Sequence, residues 1–440
     1  MNGLGSLLDR DMRHIWHPCS QMKDYEILKP LEVAGAHQAW IELACGRRVI
    51  DAISSWWCKS LGHGHPRLRR ALARQAEKFE HVIFANTTNE TLVSLSEKLT
   101  ALAPGLNKVF YAGDGSSAIE VALKMSLHSR RITGEAKRTR FVALENGYHG
   151  ETLGALSVSD VGLYRAPYAA MLFEADFISP LPYVSGSADP LWENCEDGWQ
   201  RIERGLEALA DTVTAVIVEP IVQGAGGMKI YSRDFLARLR AFTGRHGIHL
   251  IADEIMTGLG RTGKMLACEH AGIAPDFICL SKGLTSGWLP MSAVLTREGI
   301  YDLFYDDFQA GKSFLHSHTF SGNALAASVA LEVLDVMAEE GICARAEEMG
   351  AVLRVNMQEV AEQTGCLRNV RGLGAIAAAD LICANPDRRY GFEVYQHALK
   401  LGVLLRPLGN TIYWLPPLNI DAETLTSLKE KTIEAIQSVR

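Results

Sequence analysis

The feature that most narrows the fold is an alternation, from residue 66 to about 330, of short apolar runs with amphipathic helical stretches. "NKVFYAG", "TRFVALE", "VTAVIVEP", "IHLIADE" and "DFICLS" each have the length and make-up of a buried strand. "PRLRRALARQAEKF", "NETLVSLSEKLTAL", "AIEVALKMSLHSR" and "SRDFLARLRAFTGRHG" carry the helical period. Strands that alternate with helices predict a doubly wound α/β domain with a mostly parallel sheet. "MSAVLT" follows "DFICLS" too closely for a helical crossover, so it is expected to run back antiparallel in a mixed sheet. Residues 1–65 read as irregular, with strands in "QAWIEL" and "RRVIDAIS". "NALAASVALEVLDVMAEEG" opens a long helix, and the tail from 331 to 440 adds strands in "VLLRPLG" and "TIYWLPP". The expected division is a large domain over 66–330 and a smaller α+β domain built from both chain ends, 1–65 and 331–440.

The net charge of −7 is mild, and no Lys/Arg run suggests a nucleic-acid groove. A small molecule or a protein is the expected partner. The nine scattered cysteines form no CxxC pair and are odd in number, which fits reduced thiols in a cytoplasmic protein. The first residues carry early acids and no long apolar core, so no export signal is expected. No apolar window approaches a membrane span.

In sheets of this kind ligands lie outside the carboxyl ends of the strands. Glu219, Asp253 and Lys282 each stand at such an end. Singly, each reads as a solvated strand terminus. An acid and a lysine that share one edge, each followed by a glycine-bearing loop, read as function. Burial penalises a charged lysine and leaves a neutral, nucleophilic amine, the state a Schiff-base lysine needs. The usual aldehyde partner is pyridoxal phosphate, whose ring nitrogen stays protonated beside an ionised carboxylate. Lys282 and Asp253 can supply those two roles.

A phosphate also needs a cradle. "YAGDGSSAIEVALKM" runs strand, Gly/Ser turn, helix: Gly113 and Gly115 permit a tight turn, and the amides of Ser116 and Ser117 open a helix whose positive end suits a phosphate. By itself the pattern is equally a capped helix without a ligand. In "NGYHGETLGA", Tyr148 could stack on a flat ring or merely anchor a loop, and Ile255 could press on the other face or belong to the core. Trp56 and Trp57 stand in tandem, and one of them should point inward. The other could wall a channel for an alkyl chain. Arg406 is either a surface ion pair or a bidentate carboxylate clamp. "GHGHP", with His63 and His65, offers no third ligand, so a metal reading is set aside.

"VEPIVQGAGGM", "IADEIMTGLGRTGKMLACEHAGIAPDFICLSKGL" and "NGYHGETLGALSVS" resemble class III aminotransferases, fold-type I enzymes that use pyridoxal 5'-phosphate. The resemblance covers nearly the whole chain. "RHIWHP", "SSWW", "GHGHP" and "LRPLGNTIYWLPP" are similar to the branch that converts 8-amino-7-oxononanoate to 7,8-diaminononanoate in biotin synthesis. The resemblance implies that Lys282 condenses with the cofactor, that Asp253 meets its ring nitrogen and that Tyr148 lies by the ring. It also implies that Gly115 and Ser116 bind phosphate, and that Thr319 reaches the phosphate of a neighbouring subunit in a homodimer with shared sites. Trp56, Tyr148, Ser317 and Arg406 are then substrate contacts, with Arg406 on the substrate carboxylate. Cys19, Glu151 and His318, together with the loop "LTSGWLP", depart from the commoner family pattern, on what reads as the donor side. The amino donor is S-adenosylmethionine or, as "QMKDYE" and "DRRYG" suggest, lysine. The alternatives are another class III transaminase acting on an ω-amino acid or diamine, an aminomutase of the same fold, or a binding module without activity.

Overall fold

The computed structural model describes residues 6–385 and 387–439. Its centre is a seven-stranded sheet. Across the sheet the strands run Lys108–Ala112, Ser292–Thr296, Phe277–Leu280, His249–Asp253, Val213–Val218, Arg140–Leu144 and Asp176–Ile178. Only Ser292–Thr296 is antiparallel to its neighbours, as the short connection from Leu280 requires. Val213–Val218 is buried at every position, so its unbroken apolar run reflects cover on both faces. The helix Gly115–Ile132 packs on one face through Ile119, Ala122 and Leu123, against Phe141, Ile217 and Phe277 of the sheet.

Because all but one of the strands point the same way, the loops after Ala112, Leu144, Val218, Asp253 and Leu280 converge on a single sheet edge. That convergence follows from topology, and it gathers residues that lie far apart in the sequence.

Both chain ends enter one four-stranded sheet. Val33–His37, Trp40–Leu43 and Arg48–Asp51 form an antiparallel meander, and Val403–Leu404 then pairs in parallel with Ile50 and Asp51. Three further strands, Leu367–Leu373, Ile376–Leu381 and Thr411–Trp414, make a second small sheet. Residue 330, the expected domain boundary, lies inside the helix Ala324–Glu339, which packs against Pro66–Ala76 and Glu90–Leu102.

Several local expectations need revision. The segment 1–65 holds a helix, Leu7–His14, with a Ser6–Asp9 capping box. The helix buries no residue, so apolar periodicity could not reveal it. The strand expected in "VLLRPLG" stops at Leu404. Arg406 adopts a left-handed φ of 42°, and Pro407 has no amide hydrogen to extend a ladder. No helix among the described residues is long and apolar enough to cross a membrane.

Candidate active site

Three neighbouring parallel strands deliver Glu219, Asp253 and Lys282 to the same edge. They line a cavity of about 370 Å³ together with Gly115, Ser116, Tyr148, His149, Ile255, Trp56, Trp57, Cys58 and Arg406. Lys282 opens onto this cavity but is otherwise enclosed by protein. Burial pulls its amine below the ordinary lysine value, and Asp253, Glu219 and Cys58 offset only part of that effect. Its Nζ lies 4.5 Å from the centroid of the Trp57 ring. An amine held this way loses its proton more readily than a surface lysine.

Asp253 ends its strand and is buried. Oδ2 lies 2.7 Å from His149 Nδ1, and Oδ1 accepts the Ile255 amide at 3.1 Å. His149 is buried too, and its Nε2 has no partner among the described residues. Nδ1 therefore carries the proton that bonds the carboxylate. Glu219 spans two loops, accepting from Tyr148 N and Gly224 N, each at 2.9 Å. Burial, helped by the nearby Asp253 charge, raises its carboxyl to about 7 despite those bonds and the nearby His149.

At the other end of the cavity, the Asp114 side chain caps the helix Gly115–Ile132 by accepting the Ser117 amide at 2.9 Å. This corrects one expectation: Ser117 N is already committed to the cap, so Gly115 and Ser116 supply the open amides. A Cβ on Gly115 would meet Ile255 at 3.0 Å. A Cβ on Gly150, whose φ is +126°, would fall 2.1 Å from Ser116 Oγ. These two glycines allow the Ile255 side chain and the Tyr148–Glu151 loop to close around the helix N-terminus.

The tandem tryptophans divide as expected. Trp57 is buried and donates from Nε1 to Tyr413 OH at 3.0 Å, across 356 residues of sequence. Trp56 is 40% exposed, and the Arg406 guanidinium sits 4.2 Å from its ring centroid. The backbone that separates them is unusual. Ser54, Ser55, Trp56 and Trp57 all have positive φ, at 50°, 45°, 75° and 72°. One left-handed turn made without glycine stores about 1–2 kcal/mol per residue. It persists because its contacts hold it, including Ser54 Oγ to the Leu415 carbonyl at 2.8 Å, 361 residues away.

Beyond Trp56, Tyr164 and Arg406 the cavity continues into an outer chamber of about 950 Å³. Cys19 is exposed at this junction; its Sγ lies 3.3 Å from Tyr164 OH, and its carbonyl accepts from Arg406 Nη2 at 3.1 Å. Glu151 accepts the Tyr148 hydroxyl at 2.9 Å. Asp24 and Arg389, from the two segments tied above to the choice of donor, form a bidentate pair at 2.7 and 2.8 Å beside the chamber.

The "Aminotransferase class-III" family model matches residues 22–436. The chain belongs to the class III aminotransferases. An adenosylmethionine-8-amino-7-oxononanoate aminotransferase of Helicobacter pylori is 35% identical over the full length of both chains. The crystal structure of the enzyme of that name from Methanocaldococcus jannaschii superposes with a TM-score of 0.91 at 30% identity, over 98% of this chain and 99% of that one. A PLP-bound amine transaminase from an uncultivated Pseudomonas species superposes with a TM-score of 0.88 at 31% identity, over 97% and 99%.

This class III aminotransferase has a donor set that fits the implied pyridoxal phosphate. A recessed amine, a buried carboxylate and two open helix amides surround one cavity, and the glycines at 115 and 150 keep the helix end clear of Cβ atoms. Of the residues singled out in the sequence, this cavity gathers Lys282, Asp253, Gly115, Ser116, Tyr148, Ile255, Trp56 and Arg406. Ser317 and Thr319 do not line it. Both are exposed, and the Thr319 carbonyl bonds His81 Nε2 at 2.9 Å. Sequence reasoning missed the His149–Asp253 contact, the Trp57 ring over Lys282, and Tyr164. Of these only His149 carried a signal, through its glycine-flanked turn.

Proposed function

We propose that the protein transfers an amino group to 8-amino-7-oxononanoate, giving 7,8-diaminononanoate for biotin synthesis, with S-adenosylmethionine as the donor. The observation that carries this reading is the Trp56–Arg406 pair, an apolar wall under a guanidinium, which lines the same cavity as Lys282. A keto acid that carries its carboxylate on a methylene chain suits that pairing of charge and apolar surface.

Pyridoxal phosphate, when bound, supplies a reactive aldehyde and an electron sink. Lys282 would hold it by its amine, Asp253 would face its ring nitrogen, and the Gly115 and Ser116 amides would take its phosphate. Tyr148 and Ile255 would flank the ring. With the cofactor bound, Lys282 Nζ would act as the base that takes the proton from the donor's amine-bearing carbon, and then as the acid that delivers it to the carbon that had carried the aldehyde. Its lowered proton affinity suits both halves of that cycle. Asp253 is oriented by its contact with His149 Nδ1. Glu219 fixes the loop that carries Tyr148. Arg406 orients the acceptor through its carboxylate, and Trp56 keeps water from its chain.

The same reading makes the working unit a homodimer in which Thr319 of a second copy completes the phosphate site. Support comes from apolar side chains left in the open near Thr319, with Leu315 at 87% and Phe320 at 64% exposed. Nine unpaired cysteines support a reducing, cytoplasmic setting. The test is incubation of the cofactor-loaded protein with 8-amino-7-oxononanoate and either S-adenosylmethionine or lysine, followed by mass detection of the diamine. Product with S-adenosylmethionine is expected. No product with either donor, alongside brisk transfer from an ω-amine to pyruvate, would replace this reading with the ω-transaminase one.

A further inference from the structure

We propose that buried Asp51 and its partner His63 form a positioning device: together they lock the left-handed turn Ser54–Trp57, and through that turn set Trp56 under the Arg406 guanidinium. This rests on the reading of Trp56 and Arg406 as the carboxylate end of the acceptor site.

Asp51 is fully buried, and every bond its carboxylate makes serves this turn. Oδ1 accepts the Ser55 amide at 2.9 Å, and Oδ2 accepts the Ser55 hydroxyl at 2.7 Å. His63 Nε2 reaches the same Oδ2 at 2.8 Å and lies 3.4 Å from Ser55 Oγ. Ser55 is the second of the four left-handed residues, so the carboxylate grips the turn at its strained centre.

His63 is itself fixed from behind. Its backbone exchanges two hydrogen bonds with Gln38, at 2.9 and 2.7 Å. Gly62, at φ +73°, permits this, since a Cβ there would lie 2.9 Å from the Gln38 carbonyl oxygen. The "GHGHP" motif thus has a physical account that needs no metal: a glycine turn presents one imidazole to one buried carboxylate. Asp51 also registers opposite Leu404, two residues before Arg406. Both halves of the Trp56–Arg406 pair therefore hang from the same point, with the turn on one side and the paired strand on the other.

A purely structural pair would affect stability alone. A positioning pair acts on acceptor recognition, so three readouts separate the two: melting temperature, KM against kcat for 8-amino-7-oxononanoate, and quenching of tryptophan fluorescence by nonanoate in cofactor-free protein. His63→Ala should weaken nonanoate binding and raise KM by about tenfold or more, the equivalent of about 1.4 kcal/mol. kcat should change much less. His63→Gln should restore most of the loss, because its Nε2 can take the place of the imidazole Nε2; His63→Asn, which is shorter, should not. Asp51→Asn should behave like His63→Ala, and Ser55→Ala, at the turn itself, provides the same test if Asp51→Asn does not fold. A folded His63→Ala protein with wild-type KM and nonanoate affinity overturns the proposal, as does a lower melting temperature with unchanged kinetics. If wild-type protein binds nonanoate and His63→Ala loses it, but no diamine is ever made, the positioning stands and the substrate assignment falls. Wild-type protein that neither binds nonanoate nor makes diamine refutes both.

Discussion

His149 Nδ1 and Asp253 Oδ2 meet 2.7 Å apart, with both side chains almost wholly buried and the other imidazole nitrogen unpartnered among the described residues. The ring is therefore a single-purpose donor to the carboxylate. A hydrogen bond to a charged group is worth about 1.5–3 kcal/mol, so His149→Ala should lower kcat by roughly 10- to 150-fold. His149→Asn places an amide nitrogen where Nδ1 was and should recover most of the rate. Steady-state kinetics on the two variants decide it; equal losses would show that the contact does not orient Asp253.

Lys282→Ala should abolish turnover and the visible absorbance of the bound cofactor. The same position also carries a stability prediction. The folded-state pKa of Lys282 lies below its reference of 10.5. Its contribution is then present above that reference and lost as pH falls through the folded value. Below that reference, holding this amine in its buried place costs the cofactor-free fold stability. Lys282→Met should raise the melting temperature of cofactor-free protein at pH 7, and calorimetry would detect a fall instead.

Glu219 behaves in the opposite sense to an ordinary surface acid. Its carboxyl is raised from 4.5 to about 7 by burial. The stability tied to its proton is fully present below about pH 4.5 and disappears as pH rises through about 7, about 3 kcal/mol in all. Denaturant titrations of cofactor-free protein between pH 5 and 8 should show this decline, and Glu219→Gln should flatten it. An unchanged slope in the variant would assign the decline to other groups.

Gly150→Ala tests the cradle. The added methyl would sit 2.1 Å from Ser116 Oγ, on a backbone at φ +126° that an alanine resists. The loop must withdraw from the helix end, so affinity for pyridoxal phosphate should fall at least tenfold while the distant core keeps its stability. Cofactor titration by absorbance reads the first, and thermal melting the second.

What the sequence revealed and what it hid have separate physical causes. Lys282, Asp253 and Glu219 were legible because parallel strands announce themselves as apolar runs, and polar residues at their ends share one edge by topology. The antiparallel strand Ser292–Thr296 was legible from the shortness of its connection. The left-handed turn at Ser54–Trp57 was not, since no glycine marks it and the carboxylate that holds it is recognised only once the chain is folded. The fate of Ser117 hinged on a single cap from Asp114, which spacing alone leaves open. Tyr164 reaches the cavity on the helix Gly162–Arg165, a single turn too short for any periodicity to record.

The bonds from Ser54 to Leu415 and from Trp57 to Tyr413 also impose an order of events on synthesis. Domains emerge from the ribosome amino end first. Here the turn that shapes the amine's surroundings finds its anchors only once residues 413 and 415 have been made. The nascent protein can therefore complete its central sheet, whose last strand ends at Thr296, well before its catalytic pocket is finished.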